Sequence, residues 1–249
     1  MASARFRFYA ELNDFLPPER RYREFQYDFV DIATAKDRIE SFGVPHTEVD
    51  LILANGEPVD FPYRVKDGDR LSVYPVFESF DIAGLTRVRP EPLREPRFVL
   101  DAHLGKLAAY LRMIGLDTFY RACADDRDLA RISAAEHRIL LTRDIGLLKR
   151  GRVTHGYFVR ETAPRKQLTE IAGRFDLARL MRPFTRCMQC NGELVEASPA
   201  EVAGRLPPRA AELYHEFRRC PDCGRVYWKG GHYRRMLQWI ETMKSGREL

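Results

Sequence analysis

Apolar and polar residues alternate with a period of two in two segments near the start of the chain, residues 5–9 and 25–29. This alternation predicts two half-buried β-strands. Thr34 is a suitable N-cap for a helix that runs to about Phe42, and Gly43 is a typical residue just after a helix end. The pattern therefore predicts two strands followed by one helix.

Two more strands are predicted after that helix. Residues 49–53 form a short apolar run, and residues 70–75 alternate again. Asn55-Gly56 is a strong turn signal, and residues 66–69 form a second turn rich in Asp and Gly. The order β-β-α-β-β is typical of a β-grasp domain, which we expect over residues 1–80.

The pattern changes after a proline-containing stretch, residues 81–96, which predicts a stiff, extended linker. Beyond it, residues 97–183 alternate short apolar runs with helical stripes. The predicted strands are 98–100, 117–120, 139–142 and 156–159, and the predicted helices are 103–114, 126–136, 145–149 and 167–175. Such alternation indicates βαβ units and a parallel sheet. No glycine-rich phosphate loop follows any of these strands, which disfavours a nucleotide-binding fold of that type.

Acidic residues follow the predicted strands. Asp101 and Asp144 each come directly after an apolar strand, Asp126 opens the intervening helix, and Glu161 follows the fourth strand. In open parallel α/β sheets, ligands bind beyond the carboxyl ends of the strands. Converging carboxylates suit Mg²⁺ or Mn²⁺, ions that activate water and stabilise charge on a phosphodiester. The alternative is that Asp125, Asp126 and Asp144, each of which precedes a predicted helix, act as helix caps, for which Asp is a favoured residue.

Other polar residues stand close to these acids. Asp125 precedes Asp126 and is an additional candidate ligand or cap, and Glu161 can instead pair with a neighbouring arginine. Lys106 and Arg143 are candidates to hold a phosphate, with an ordinary surface position as the alternative.

Two Cys-x-x-Cys pairs mark the last quarter of the chain. Cys187 and Cys190 form the first pair, and Cys220 and Cys223 form the second. Four thiolates at this spacing predict a closed tetrahedral Zn²⁺ site within a zinc ribbon over residues 184–249, with free thiols or a redox pair as the alternative. The stretch between the pairs contains a predicted helix, residues 209–217, as an insertion.

Cations and aromatic side chains are interleaved after the second pair. They are Tyr227, Trp228, Lys229, His232, Arg234 and Arg235. Such a mixture suits stacking on unpaired bases and contacts to phosphates, which predicts RNA binding. The alternative is that the aromatic rings pack against the ribbon and the cations line a solvated helix face.

Charge and composition agree with a polyanionic partner. The formal net charge of the 249-residue chain is +5, yet residues 1–80 contain 10 basic and 15 acidic residues, so the remainder is strongly basic. A basic body favours binding to a polyanion. No apolar run is long enough to span a bilayer, no secretory signal is visible, and the metal-like cysteine spacing suits a reducing compartment. We therefore expect a cytoplasmic protein without a membrane partner.

The N-terminal module resembles the ubiquitin-like sulfur-carrier proteins. The resemblance rests on Leu53-Ala54-Asn55-Gly56-Glu57 and on residues 65–75. Those carriers act through a free C-terminal Gly-Gly, whereas this chain continues through Val76-Phe77-Glu78. A sulfur-transfer role is therefore not expected, and we interpret the module as a docking or regulatory domain for a protein or ribosome partner.

Residues 97–240 resemble the Mut-seven C-terminal RNase family. The segments that carry the resemblance are Phe98-Val99-Leu100-Asp101, Leu104-Gly105-Lys106-Leu107-Ala108, Arg112-Met113-Ile114-Gly115-Leu116-Asp117-Thr118, Asp125-Asp126 and Ile139-Leu140-Leu141-Thr142-Arg143-Asp144. The resemblance implies a PIN-like nuclease fold with a zinc ribbon, and a metal-dependent RNase with Asp101, Asp126 and Asp144 as the acidic positions. Many members carry an acidic pair after the fourth strand where this chain has Arg160-Glu161-Thr162, which leaves a fourth ligand and a second metal open.

Two functions compete at this point. The first is a metal-dependent ribonuclease with structural Zn²⁺ and catalytic Mg²⁺ or Mn²⁺, more readily an endonuclease, whose substrate is tRNA, rRNA or mRNA. The second is a non-catalytic RNA- or ribosome-binding protein that uses the ribbon and the basic face. PIN-like domains often pair, so a homodimer is a further expectation by analogy.

Overall fold

A computed structural model describes residues 1–75, 87–88 and 96–244. The predicted linker, residues 81–96, lies almost entirely outside these ranges, as do Val76-Phe77-Glu78. The chain divides into two compact units, the first containing Met1–Glu95 and Asp125–Phe158, and the second Pro96–Ala124 and Val159–Leu249. Among the described residues, no helix is both long and apolar enough to cross a membrane.

The described elements follow the predicted order closely. The strands are β1 (Ala2–Phe8), β2 (Phe25–Phe29), β3 (Val49–Ala54), β4 (Glu57–Val59), β5 (Arg70–Pro75), β6 (Phe98–Leu100), β7 (Thr118–Tyr120), β8 (Ile139–Thr142), β9 (Gly156–Phe158), β10 (Val195–Ala197), β11 (Phe217–Arg219) and β12 (Val226–Trp228). The α-helices are α1 (Ala35–Ser41), α2 (Gly105–Met113), α3 (Asp126–Ala135), α4 (Ile145–Leu148), α5 (Pro164–Arg174), α6 (Pro199–Val202), α7 (Pro208–Leu213) and α8 (Gly231–Lys244). Short 3-10 helices occupy Ala10–Phe15, Pro18–Arg20, His46–Glu48, Ala102–Leu104, Leu177–Arg179 and Ala203–Arg205.

The first unit begins with a five-stranded sheet in the order β2-β1-β5-β3-β4. β1 and β5 run parallel, and the other neighbouring strands run antiparallel. Phe6 and Phe8 of β1 are fully buried with Ile39 of α1 and Val73 of β5 in one apolar core. This arrangement confirms the predicted β-grasp domain, which we call the head (residues 1–75).

The helix of the head starts where the sequence predicts. The N–H of Asp37 donates to Thr34 Oγ1 at 3.2 Å, and the N–H of Thr34 donates to Asp37 Oδ2 at 3.1 Å. This reciprocal capping box satisfies N–H groups that a helix start leaves unpaired. Gly43 follows the helix with φ of +98°, a conformation that glycine adopts without steric penalty.

A hairpin absent from the sequence prediction adds the edge strand β4. Asn55 and Gly56 both have positive φ, 55° and 93°, as a two-residue hairpin turn requires. The turn was predicted, but β4 was not, because it has three residues and contains Pro58. Its pairing with β3 completes the sheet.

The first unit also contains one half of the predicted α/β region. β8 and β9 pair in parallel, with Leu140 opposite Gly156 and Thr142 opposite Phe158. All four residues of β8 are buried, as expected for a parallel strand without a solvent-facing side. α3 precedes β8 and α4 follows it, so the strand–helix alternation is as predicted.

The second unit contains the other parallel pair, β6 and β7. Leu107 and Leu111 of α2 are fully buried, and α2 packs against α5. Gly115 ends this helix with φ of +92°, and a Cβ there would lie 2.2 Å from the carbonyl oxygen of Arg182. Only glycine fits that position, which agrees with its predicted role as a helix stop.

A three-stranded antiparallel sheet, β10-β11-β12, forms the C-terminal ribbon within the second unit. Val202 and Phe217 form its small core with the half-buried ring of Trp228. The predicted helix over residues 209–217 was placed too far along the chain. α7 ends at Leu213, and Tyr214 is extended, because Phe217 begins β11 and pairs there with Trp228.

Candidate metal centre and acidic residues

Four cysteine sulfurs come together in the second unit. The Sγ atoms of Cys187, Cys190, Cys220 and Cys223 all lie within 4.8 Å of one another. The Cys190–Cys220 and Cys187–Cys223 sulfur separations are 3.3 Å and 3.5 Å, whereas a disulfide bond is about 2.05 Å long, so all four are thiols. In the described ranges, no other group of three or more His, Cys, Asp or Glu side chains is close enough to hold a metal ion. The four cysteines can bind a metal such as zinc, for which thiolate sulfur is a preferred ligand.

The two cysteine pairs sit in turns of the same shape. The N–H of Asn191 donates to the carbonyl of Cys187, and the N–H of Gly224 donates to the carbonyl of Cys220, each at 2.9 Å. Asn191 and Gly224 have φ of 74° and 71°, a left-handed conformation that Asn and Gly tolerate best. Each turn therefore directs both of its sulfurs toward the same point, which is what a shared ion requires.

The hydroxyl group of Tyr227 contacts the four-cysteine cluster. Its hydroxyl oxygen lies 3.1 Å from Cys187 Sγ and accepts a hydrogen bond from the N–H of Met188 at 3.2 Å. Because the N–H of Met188 uses a lone pair of this oxygen, the hydroxyl proton remains for the sulfur. Tyr227 thus fixes both a ligand and the turn that carries it, as residues behind a metal ligand commonly do.

The protonation of the thiols reflects their surroundings. Burial alone raises the pKa of Cys187, but hydrogen bonds from Tyr227 and from the N–H groups of Cys190 and Gln189 outweigh it and lower that pKa to about 7. Burial raises the pKa of Cys190 to about 12. Burial and the contact with Cys187 also raise the pKa of Tyr227, which keeps its hydroxyl protonated. Bound metal replaces the thiol protons, since thiolates are the ligands.

Arg112 connects the first cysteine turn to α2. Its guanidinium is nearly inaccessible to solvent, with 4% of the residue exposed. Nη1 donates to the carbonyls of Met188 and Gln189 at 3.2 Å and 2.8 Å, and Nε donates to the carbonyl of Thr118 at 2.9 Å. Asn191 adds two more bonds, accepting from the N–H of Thr118 and donating to Asp117 Oδ1. The metal-site turn and the α2–β7 segment are therefore joined by buried hydrogen bonds.

Asp101 lies directly after β6 in the second unit, in extended backbone with φ of −63° and ψ of 154°. It is the N-cap residue of the 3-10 helix Ala102–Leu104 by position, and its carbonyl accepts from the N–H of Leu104 at 3.0 Å. Its side chain makes no capping hydrogen bond. Asp101 therefore has no side-chain role in capping this 3-10 helix.

Asp125 and Asp126 differ in their contacts. Asp125 is the N-cap of α3, where its Oδ1 accepts from the N–H of Asp128 at 2.7 Å. Asp126 is the first residue of α3, and its Oδ2 accepts from Arg150 Nη2 at 3.1 Å. Both side chains of this ion pair are close to half exposed. The cap thus belongs to Asp125, while Asp126 presents its carboxylate to a cation.

Asp144 follows β8 in the first unit and caps α4. Its Oδ1 accepts from the N–H groups of Gly146 and Leu147 at 2.7 Å and 3.4 Å. Both capping bonds use one oxygen, so capping and cation binding through Oδ2 are compatible. The neighbouring Arg143 is exposed, and its guanidinium carbon lies 5.8 Å from the ring centroid of Phe158.

Glu161 and Lys106 both lie in the second unit, and their roles at the site remain predictions. The carboxylate of Glu170 on α5 accepts from the N–H groups of Arg160 and Glu161 at 2.8 Å and 2.9 Å. The loop after β9 is therefore held by Glu170, with the Glu161 side chain half-buried. Lys106 is exposed on the first turn of α2. Asp101 belongs to the second unit and Asp126 and Asp144 to the first, so their convergence on one ion also stays a prediction.

The aromatic and basic residues near the C-terminus fall into two groups. The rings of Tyr227 and Trp228 are half-buried in the ribbon, and Lys229 forms an ion pair with Glu216. His232, Arg234 and Arg235 are exposed on α8. Both observations agree with the alternative, in which the rings pack against the ribbon and the cations line a solvated helix face, and RNA binding by these residues stays a prediction.

Two supporting residues were not identified from the sequence. Arg112 lies four positions after Ala108, so it falls on the buried face of α2, where a charged residue needs partners, and this position was the available signal. Glu170 lies on a helix of mixed polarity, and nothing in the sequence separates it from an exposed glutamate.

Comparisons with known families agree with this architecture. Residues 96–240, more than half of the chain, match the model of the Mut7-C RNAse domain, and residues 1–81 match the model of the Mut7-C ubiquitin domain. The chain therefore contains a ubiquitin-like domain followed in sequence by a nuclease-type domain. It belongs to the Mut7-C RNase domain family. Searches of curated proteins and of solved structures found no match.

Proposed function

We propose that this protein is a metal-dependent ribonuclease that hydrolyses RNA phosphodiester bonds and uses Asp101, Asp126 and Asp144 as its acidic site. The match of residues 96–240 to the Mut7-C RNAse domain is the observation that carries the proposal. The positions of Asp101 and Asp144 directly after β6 and β8 support it, because ligands of parallel α/β sheets bind beyond the carboxyl ends of the strands.

The donor chemistry of these residues fits Mg²⁺ or Mn²⁺, which prefer hard carboxylate oxygens. Such an ion, when bound, lowers the pKa of water and stabilises charge that develops on a phosphodiester. Asp144 accepts both of its capping hydrogen bonds at Oδ1, which restrains the direction of the carboxylate, and capping does not use Oδ2. Asp101 contributes a side chain that is not used in capping.

The ion pair between Asp126 and Arg150 does not oppose this role. Both side chains are close to half exposed, and an exposed ion pair contributes at most about 1 kcal/mol. A divalent cation at Asp126 can therefore displace Arg150 at a small cost in free energy. The released guanidinium is then available to an RNA phosphate, a contact that suits its planar fork.

We assign the four-cysteine cluster to structural zinc. Four thiolates close a tetrahedral site and leave no open position for substrate or water. The contribution of this site is to hold the ribbon against the α2–β7 segment through Arg112 and Asn191. The endonucleolytic mode, the class of RNA substrate, homodimer formation and a protein or ribosome partner of the head are further parts of this proposal.

Non-catalytic RNA binding is the second candidate function. The exposed Arg234 and Arg235 on α8, together with the basic C-terminal part of the chain, favour it. It predicts salt-dependent binding that acidic-site substitutions do not change, since phosphate contacts dominate such affinity.

A cleavage experiment separates the two candidates. Zinc-loaded protein freed of other divalent ions is incubated with tRNA, rRNA fragments and single-stranded RNA, with Mg²⁺ or Mn²⁺ added back. We expect cleavage by wild type, none by Asp101→Asn/Asp144→Asn, and normal cleavage by the matched control Asp128→Asn, an acid on α3 outside the proposed site. Full activity of the double variant, purified free of contaminating nuclease, refutes the catalytic proposal, and intact binding without cleavage by wild type supports the second candidate.

A further inference from the structure

Within the first unit, the 3-10 helix His46–Glu48 of the head packs against the segment Asp125–Phe158. All three residues of this helix are buried, with Thr47 and Glu48 each 1% exposed. His46 Nε2 lies 2.9 Å from the carbonyl oxygen of Val153, and its Nδ1 lies 2.6 Å from Glu40 Oε1. Lys149 Nζ donates to the carbonyl of Glu40 at 2.7 Å. If the head served only to bind a partner, it would not need polar contacts of this kind with the segment Asp125–Phe158.

Two further contacts of the head involve Phe158, the last residue of β9. Its N–H donates to Glu48 Oε1 at 2.6 Å, which fixes the backbone at the strand end. The ring of Phe15 from the head meets the Phe158 ring edge-on, with centroids 5.5 Å apart and an interplanar angle of 76°. Edge-to-face pairs of this geometry are favourable beyond simple area burial. The head therefore holds both the backbone and the ring of Phe158.

Phe158 in turn lies beside the proposed acidic site. It pairs with Thr142 in the β8–β9 register, and the guanidinium of Arg143 lies over its ring at 5.8 Å. Arg143 immediately precedes Asp144 and is exposed. A guanidinium directed by an aromatic ring at this point is placed to bind a phosphate next to the ligand of the proposed metal.

We propose that the head is a working part of the nuclease, in which Phe15 and Glu48 position Phe158, and Phe158 directs Arg143 to an RNA phosphate beside Asp144. This inference rests on the proposed ribonuclease function. Phe15, Glu48 and Phe158 are positioning residues, because they act through Arg143. Through these residues the head contributes to binding of the RNA substrate.

A double-mutant cycle tests the coupling in the full-length, zinc-loaded protein. Phe15→Leu keeps an apolar side chain but removes the edge-to-face ring contact, and we expect kcat/KM to fall about three- to tenfold. In the Arg143→Gln background the same substitution is expected to change kcat/KM less than twofold, because the residue it directs is already gone.

The matched control is Phe25→Leu. Phe25 is also a half-buried ring packed against the head core, but it pairs with Phe6 and Phe8 rather than with Phe158. It should lower the thermal unfolding temperature by a similar amount and leave kcat/KM within twofold of wild type. An equal loss for Phe15→Leu in both backgrounds, or an equal loss for Phe25→Leu, overturns the proposal.

Amide hydrogen exchange provides a readout that does not need cleavage. Glu48→Ala should raise exchange at Phe158 and over residues 143–147 by at least about tenfold, because the half-buried N–H of Phe158 loses its acceptor. Glu48→Gln retains a carbonyl acceptor and should restore slow exchange. Phe15→Leu should raise exchange over residues 143–147, with Phe25→Leu again as control. If Glu48→Ala and Phe15→Leu leave this segment unchanged, the coupling is wrong, whereas coupling without any metal-dependent cleavage by wild type contradicts only the ribonuclease function.

Discussion

Replacing Arg112 with methionine should destabilise the first cysteine turn and its attachment to α2. Methionine has a similar length and no charge, so Arg112→Met removes the three hydrogen bonds to carbonyl oxygens of Thr118, Met188 and Gln189. A hydrogen bond from a charged donor contributes about 1.5–3 kcal/mol, and acceptors left buried without partners add a penalty. The three bonds share one guanidinium and are not additive. We therefore expect the free energy of unfolding of the zinc-bound protein to fall by about 3–4 kcal/mol.

The same substitution should weaken metal retention. Met188 and Gln189 lie between the first two cysteines, so their carbonyls orient the turn that presents Cys187 and Cys190. Loss of a partner behind a metal ligand commonly lowers metal affinity by about 10–100-fold. The assay is chelator competition followed by zinc release with a chromogenic indicator, beside denaturant unfolding of the zinc-loaded protein.

Arg205→Met is the matched control. Arg205 is exposed and donates to the carbonyl of Gly224 at 2.7 Å, so it contacts the second cysteine turn without linking it to α2. We expect this variant to lose less than about 1 kcal/mol. If Arg112→Met and Arg205→Met release zinc and unfold alike, the hydrogen bonds of Arg112 do not stabilise the first cysteine turn.

Three further predictions follow from local geometry. Gly192→Ala should speed zinc release in the chelator assay, because the added Cβ would lie 2.9 Å from Cys220 Sγ and 2.1 Å from Asp222 Oδ2. Its control is Gly204→Ala, whose Cβ would have no atom within 4 Å and which should leave the release rate unchanged. Tyr227→Phe removes the hydroxyl beside Cys187 and should lower stability by about 1 kcal/mol and speed zinc release, as measured against Tyr233→Phe; equal release rates contradict the assigned contact. Asp144→Ala should lower the unfolding free energy by about 1 kcal/mol and Asp144→Asn by much less, because asparagine also caps helices; equal losses in denaturant unfolding would contradict capping by Asp144.

Local patterns explain which parts of the fold were predictable. The alternation in β1, the capping box at Thr34 and the stop at Gly115 depend on residues close in sequence, so the strands and helices were placed to within a few residues. The four cysteines were predicted as ligands because each pair fixes its own geometry. β4 was missed because three residues with a proline carry too little pattern. The helix near residue 209 was extended too far because the pairing of Phe217 with Trp228, and not the local apolar pattern, decides where β11 begins.

Long-range contacts explain the rest. Arg112 meets Gln189 and Glu48 meets Phe158 over separations of 77 and 110 residues, and no local pattern records such a meeting. The sequence pattern of the head therefore does not reveal that the head packs against residues 149–158, close to Asp144. The shared acidic site of Asp101, Asp126 and Asp144 stays a prediction, because it rests on the family match, on the positions of Asp101 and Asp144 after strands and on that of Asp126 at the start of α3.

Catalysis by the proposed acidic site is measured by the initial rate of RNA cleavage in Mn²⁺ by zinc-loaded wild type and by Asp144→Asn, with zinc content and unfolding checked in both. Asp144→Asn retains the capping oxygen and loses only the charge, so it separates chemistry from folding. We expect a stable, zinc-bound variant whose rate falls at least about 100-fold, equivalent to roughly 2.7 kcal/mol of transition-state stabilisation. A folded, zinc-bound Asp144→Asn protein that cleaves at the wild-type rate would contradict a catalytic role of Asp144.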